Sequence, residues 1–243
     1  MKVFLAGTAA FSDIVIDEDI PFILESFFYF EDWQIDYIKK CKMFLLDSGA
    51  FTFMQNNGGE PSWEEYIDRY ADFITRNNIQ YFFELDVDSV IGYEKVKKLR
   101  KVLETKVGRK CIPVWHYGRG KEEFISLCKD YEYVAIGGIV TGEIKPTMYE
   151  YFPWFIRTAH ENGCMIHGLG FTNMVGLTKY HFDTVDSTNW VSGGRFGSFA
   201  RFDGKRIRTA PPPNGMRSKS ARVINKHNLR EWIKFQKYAE VNL

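Results

Sequence analysis

Cysteine is scarce in this 243-residue chain and never clustered: Cys41, Cys111, Cys128 and Cys164 stand far apart, and no C-x-x-C pair occurs. That removes the usual spacing of a structural zinc site and leaves the thiols reading as buried groups in a reducing compartment. Long apolar runs are missing too, and none approaches the roughly 18 residues of a membrane span. The opening apolar run is too short for a secretory signal and is soon followed by Asp13, Asp17, Glu18 and Asp19, so the expected location is the cytoplasm. No P-loop pattern is present, and no glycine-rich dinucleotide fingerprint opens a helix after the first strand.

What is present is a globular composition, 45% hydrophobic and 26% charged, in a length that suits one large α/β domain or two small ones. Net charge is +1, but unevenly spread: residues 201–243 carry 11 Lys and Arg against 3 Asp and Glu, whereas residues 1–200 carry 21 against 28. The chain therefore divides into residues 1–200 and a basic arm and helix, 201–243. That arm reads either as a contact for a polyanion or as a solvated helix with a flexible tail.

Apolar runs at 2–6, 43–46, 81–88, 110–115, 133–136, 164–167 and 183–186 predict strands. Between them, helical spacing predicts helices over 33–42, 62–76, 93–105, 121–130 and 148–162, with Ser62 and Glu65 spaced as a capping box. Asn228 and Glu231 have the same spacing at the start of a predicted last helix, 228–241, and Pro211, Pro212 and Pro213 predict a stiff extended arm before it. Alternating strands and helices imply a parallel sheet with helices outside. The fold expected is α/β, a TIM (β/α)8-type barrel, because Asp47, Asp86, His116, Gly138, Gly170 and Asp186 each fall at a strand end, and only a closed ring gathers all such ends at one mouth.

Asp186 closes the last run, and the small and glycine residues behind it, 187–197, would free the backbone to bend around something. By itself it reads as a cap or turn residue, as does Asp47 before Ser48-Gly49. Gathered with Asp47 at one mouth it reads as one of two acids for glycosyl chemistry, one attacking an anomeric carbon and the other moving the leaving group's proton. Glu84, Asp86 and Asp88 would repel if buried together, so at least one must face a ligand, a cation or solvent. His116 reads as a core or a site histidine, and His167 and His181 as structural ones. Phe51, Trp115, Phe171 and Trp190 offer flat faces for a purine.

These segments, taken in order, resemble the tRNA-guanine transglycosylase superfamily over about residues 43–197. Asp47-Ser48-Gly49-Ala50-Phe51 is similar to the family's D-S-G-G-F, and Leu85-Asp86-Val87 to its purine-reading strand end. His116-Tyr117-Gly118 stands where the family has Gln-Gly-Gly, and Gly137-Gly138-Ile139-Val140-Thr141-Gly142-Glu143 is close to G-G-L-A-V-G-E. His167-Gly168-Leu169-Gly170 resembles L-M-G-V-G, and Asp183-Thr184-Val185-Asp186 resembles I-D-M-F-D-C. The resemblance implies Asp186 as nucleophile, Asp47 as general acid/base, and Ser48, Phe51, Asp86, His116, Gly137, Gly138, Glu143 and Gly168 as base-binding. No zinc subdomain is present, and Ser187-Thr188-Asn189-Trp190 replaces the family's Pro-Thr-Arg-Asn. Those departures fit compact phage-type relatives that insert a 7-deazaguanine of the preQ0 type into DNA, with no metal and no cofactor, acting in a host cytoplasm. The same exchange on tRNA, as in the queuosine and archaeosine pathways, another two-carboxylate barrel glycosidase, and a non-catalytic nucleic-acid-binding relative are the alternatives. The expected partners are DNA or tRNA and the free base, with a homodimer or an accessory protein left open. Arg195, Arg201, Lys205, Arg206, Arg208 and Arg217 are the expected phosphate contacts.

Overall fold

The computed structural model describes residues 1–50, 52–53, 62–213 and 220–243. Eight parallel strands make one curled sheet: β1 (Lys2–Ala6), β2 (Phe22–Ser26), β3 (Met43–Asp47), β4 (Tyr81–Phe82), β5 (Val114–Trp115), β6 (Tyr133–Ile136), β7 (Met165–Gly168) and β8 (Thr184–Ser187). Their order is β4-β3-β2-β1-β8-β7-β6-β5, so every strand lies beside its neighbours in sequence and β1 pairs with β8. The two end strands also approach one another. Phe83 and Ile112 form a parallel bridge, the Ile112 N–H donating to Phe82 O at 2.8 Å and the Glu84 N–H to Ile112 O at 3.0 Å.

Period-two alternation gives each strand an inner and an outer face. Inside, Phe4, Phe22, Leu24, Leu45, Phe83, Val114 and Ala135 share one apolar cluster. Outside, Val3, Leu5, Ile23, Val134, Ile136, Ile166 and Val185 belong to a second cluster with the helix residues Phe124, Phe155 and Trp232. Both faces are covered, which is why the strands read as unbroken apolar runs.

The helices are α1 (Gln34–Ile38), α2 (Trp63–Arg76), α3 (Tyr93–Val107), α4 (Gly120–Asp130), α5 (Phe152–Glu161), α6 (Met174–Lys179), α7 (Asn189–Phe196) and α8 (Ala221–Asn242), besides single turns. Ser62 caps α2 as its spacing predicts, accepting from the Glu65 N–H at 3.3 Å. No helix among the described residues is long and apolar enough to cross a membrane.

The strands expected over 81–88 and 110–115 are regular only at Tyr81–Phe82 and Val114–Trp115, with Asp88 opening a single helical turn, and three larger features depart from the sequence expectations. The strand β2 was not anticipated, because only a one-turn helix, Ser12–Val15, separates it from β1 and no helical period marks its start. The second is the antiparallel hairpin β9 (Phe199–Phe202) and β10 (Ile207–Ala210) that precedes residues 211–213. The third concerns the last helix, which begins at Ala221 rather than at Asn228. Asn228 and Glu231 are buried in its interior, where they bind the backbone of the hairpin strand rather than their own helix end. α8 covers the outer face of β1, for which the short Ser12–Val15 turn provides too little surface. Its Gln236 side chain donates to Val3 O and Phe22 O, both at 2.7 Å.

Candidate active site

Asp47 ends β3 on the inner face, in register with Ser26 of β2. Its Oδ2 accepts from the Gly49 N–H at 3.0 Å. Burial pushes the carboxyl up to about 6, the charges of Asp86 and Asp186 add to the rise, and the backbone bonds from Gly49 and Ser48 oppose it. Carboxylates from β3, the loop after β4, and β8 thus act on one another across one end of the sheet. Gly49 is fixed by sterics and dihedral together: its φ is +64°, and a Cβ there would stand 2.3 Å from Ser26 Oγ. Ser48 is buried, its carbonyl accepting from the Tyr66 hydroxyl. Phe51 lies outside the described residues.

Asp186 sits on β8 beside Phe4 of β1. Its Oδ1 accepts from the Gly170 N–H at 2.5 Å and lies 3.1 Å from His167 Nε2. His167 Nδ1 lies 2.7 Å from Thr184 Oγ1, which in turn meets the Tyr133 hydroxyl. All four side chains are buried. One assignment satisfies every atom: Tyr133 donates to Thr184, Thr184 to Nδ1, and Nε2–H to Asp186. The other Asp186 oxygen has no hydrogen-bond partner among the described residues. His167, read from the sequence as structural, therefore orients the proposed nucleophile. The only hint in the chain was its place at the start of the motif that ends on Gly170.

The three acids around β4 each have a cation, as their crowding required. Glu84 is fully buried and pairs with Arg100 at 2.6 Å and Arg119 at 3.3 Å. Burial raises its pKa nonetheless, outweighing both guanidinium charges. Asp88 pairs with Arg119 at 3.0 Å. Asp86 meets His116 Nε2 at 2.6 Å, while Glu143 meets His116 Nδ1 at 2.8 Å and accepts from the Gly118 N–H at 3.2 Å. Burial alone would lower the His116 pKa, but the bond and charge of Asp86, then Glu143 and Asp88, overcome it and push the imidazole up to about 9. At neutral pH it is an imidazolium donating from both nitrogens. Asp86, Asp88 and His116 also offer ligand atoms within 4.8 Å of one another, although each already has a partner within the protein.

Gly137 and Gly138 make room for this arrangement. A Cβ on Gly137 would be 2.8 Å from the His116 ring, and one on Gly138, whose φ is +79°, would be 2.6 Å from Glu143 Oε2. A Cβ on Gly168 would meet Phe171, Phe182 and Val185, so its lack of a side chain serves close packing there. No protein-family model matches the chain. The search of curated proteins likewise found no match.

Several expected side chains lie elsewhere. Trp115, Phe171 and Trp190 are buried in the outer core, Trp115 against Phe124 and Phe155, and none presents a face to a purine. Asp183, which reads as a support for Asp186 or a turn cap, stands at the opposite end of β8, accepting from the Ile166 N–H at 2.8 Å. Gly193 and Gly194 do not bend the chain around a ligand. They lie within α7, where Cβ atoms would collide with Asn228 Nδ2 at 2.3 Å and Asn225 Oδ1 at 2.2 Å, so they let α8 approach. Arg195 borders a cavity lined by the ends of β1 and β2. Arg201 and Arg208 face each other across the hairpin, with Arg208 bound to Asp203, and Lys205 and Arg206 occupy its turn. Arg217 is outside the described residues. Sequence reasoning missed Glu25, which is buried and accepts from the Thr8 N–H at 2.5 Å. Burial pushes its pKa up to about 7 against the bonds from Thr8, Ala9 and Gln34. It secures the loop after β1, and no local signal marked it because β2 itself went unread.

Proposed function

We propose that this protein is a base-exchange transglycosylase that replaces guanine in DNA with a 7-deazaguanine through a covalent aspartyl-sugar intermediate. The observation that carries the proposal is the Asp47–Asp186 pair: one carboxyl is raised to about 6, close to the working range of a general acid and base, and the other is fixed by His167 and Gly170 with an oxygen left unpartnered among the described residues. The Phe83–Ile112 bridge supports reading the sheet as a closed (β/α)8 barrel, whose mouth then holds both acids.

In the first half-reaction the free Asp186 oxygen attacks C1′ of the flipped-out nucleotide, the bond from C1′ to guanine breaks, and protonated Asp47 gives its proton to the leaving purine. In the second, the 7-deazaguanine loses a proton to Asp47 and attacks C1′, and the ester to Asp186 breaks. The exchanged glycosidic bonds are alike, so no external energy source enters. Asp86, held by the His116 imidazolium, and the Gly137–Gly138 backbone read the base edge.

The test is incorporation of a radiolabelled 7-deazaguanine into single-stranded DNA, duplex DNA or tRNA. Label is expected in DNA, and Asp186→Ala is expected to abolish both incorporation and a denaturation-resistant protein–DNA adduct. Base release without incorporation would make the enzyme a hydrolase. Label in tRNA alone would move the substrate, and full activity of Asp186→Ala would move the nucleophile.

A further inference from the structure

The line between Asp47 and Asp186 divides the mouth into two unlike halves. One half, after β4, β5, β6 and β7, carries the paired groups Asp86, His116 and Glu143 and the Gly170 N–H. The other half, over β1 and β2, carries a cavity of ≈ 550 Å³. Its floor includes Ala6 and Leu24, and its border runs from Ser26, in register with Asp47, to Thr188, two residues beyond Asp186. It therefore lies on the β1–β2 side of both acids, neither of which lines it.

We propose that this cavity binds the nucleotide adjoining the one exchanged, a site that rests on the transglycosylase reading. A base inserted over the charged half leaves its sugar between the two acids. The strand must then leave over β1 and β2, since the charged half is filled. A volume of ≈ 550 Å³ falls in the usual range of small-ligand sites and accommodates a nucleoside. Two groups on the wall match its parts. Arg195 has no ion-pair partner among the described residues and meets a phosphate. Tyr29, 53% exposed, offers a ring for stacking. Glu25 holds the β1 loop that forms one wall. A phosphate-binding cation and an aromatic face beside an apolar floor suit a nucleotide, whereas a purely apolar ligand would leave the cation unmatched.

The experiment uses fluorescence anisotropy with 12-nucleotide single-stranded DNA containing one central guanine, in which the neighbour on each side is replaced in turn by an abasic analogue. With the wild-type protein, the abasic replacement on one side is expected to weaken binding about tenfold or more, by loss of one stacked base, while the other side has little effect. Ala10→Trp, at an exposed position on the cavity wall, should weaken binding of the intact oligonucleotide to the same level and make the abasic replacement cost nothing further. Tyr29→Ala, removing a half-exposed ring, gives a second reading if Ala10→Trp fails to fold. Equal binding of intact and abasic DNA on both sides, or penalties that add instead of coinciding, would overturn the site. Label exchange measured alongside separates the two claims. Exchange without a neighbour effect removes this site alone, and a neighbour effect without exchange removes the reaction.

Discussion

At the scale of single residues, Asp47 is the group whose environment departs most usefully from water. Its carboxyl, raised from 3.8 to about 6, holds a proton longer in the folded protein than in the unfolded chain. The associated stability is complete below about pH 4 and is lost as pH rises through about 6. Asp47→Asn should consequently leave stability at pH 4 unchanged and raise it at pH 8 by on the order of 2 kcal/mol, read from urea unfolding at the two pH values. If Asp47 is the general acid of the proposed exchange, the same variant should lose adduct formation, and wild-type adduct formation should fall about tenfold per pH unit above pH 6. A variant no more stable at pH 8 than the wild type would contradict this account of Asp47. His116 shows the opposite use of charge, its proton serving to tie Asp86 to Glu143. His167, with no unmatched nitrogen, confers orientation on Asp186.

Among the elements, α8 is the one whose meaning changes most between chain and fold. Charge and spacing make it a basic surface helix, but Ile224, Leu229, Trp232, Phe235 and Ala239 are buried, and it contributes the layer outside β1. Asn228 joins it to β9, accepting from the Ala200 N–H at 2.7 Å and donating to Ser198 O at 3.1 Å. Asn228→Ala strips two backbone groups of their partner in a buried place, and each such orphan costs about 1–3 kcal/mol. A destabilisation of about 2–4 kcal/mol is expected in chemical denaturation, against less than about 0.5 for Arg222→Ala on the exposed face. Equal effects would mean that α8 adds little to the core. Its stripes were legible as a helix from periodicity, but its start was not, because an Asn and a Glu three apart look alike whether they cap a helix or bind another strand.

At the scale of the whole molecule, much of the basic arm is already neutralised. Arg222, Arg230 and Lys237 pair with Asp13, Glu18 and Asp19, whereas Arg195, Arg201, Lys205 and Arg206 have no ion-pair partner among the described residues. Arg201 stands opposite Arg208, whose charge Asp203 already meets. Replacing Arg201, Lys205 and Arg206 by Gln should flatten the plot of log K for single-stranded DNA against log salt by about 0.7 for each phosphate no longer neutralised, measured between roughly 50 and 200 mM KCl. Replacing Arg222, Arg230 and Lys237 should leave the slope unchanged. The reverse pattern would assign the footprint to α8. By itself the sequence determined the parallel α/β alternation and the delivery of acids and glycines to one end of the sheet, because strand period and strand-end position are local properties. Only the tertiary structure decided that β2 completes the sheet, that His116 unites Asp86 with Glu143, that His167 stands under Asp186, and that Gly193 and Gly194 admit α8. Each of these joins residues far apart in the chain, and no local period encodes such a pairing.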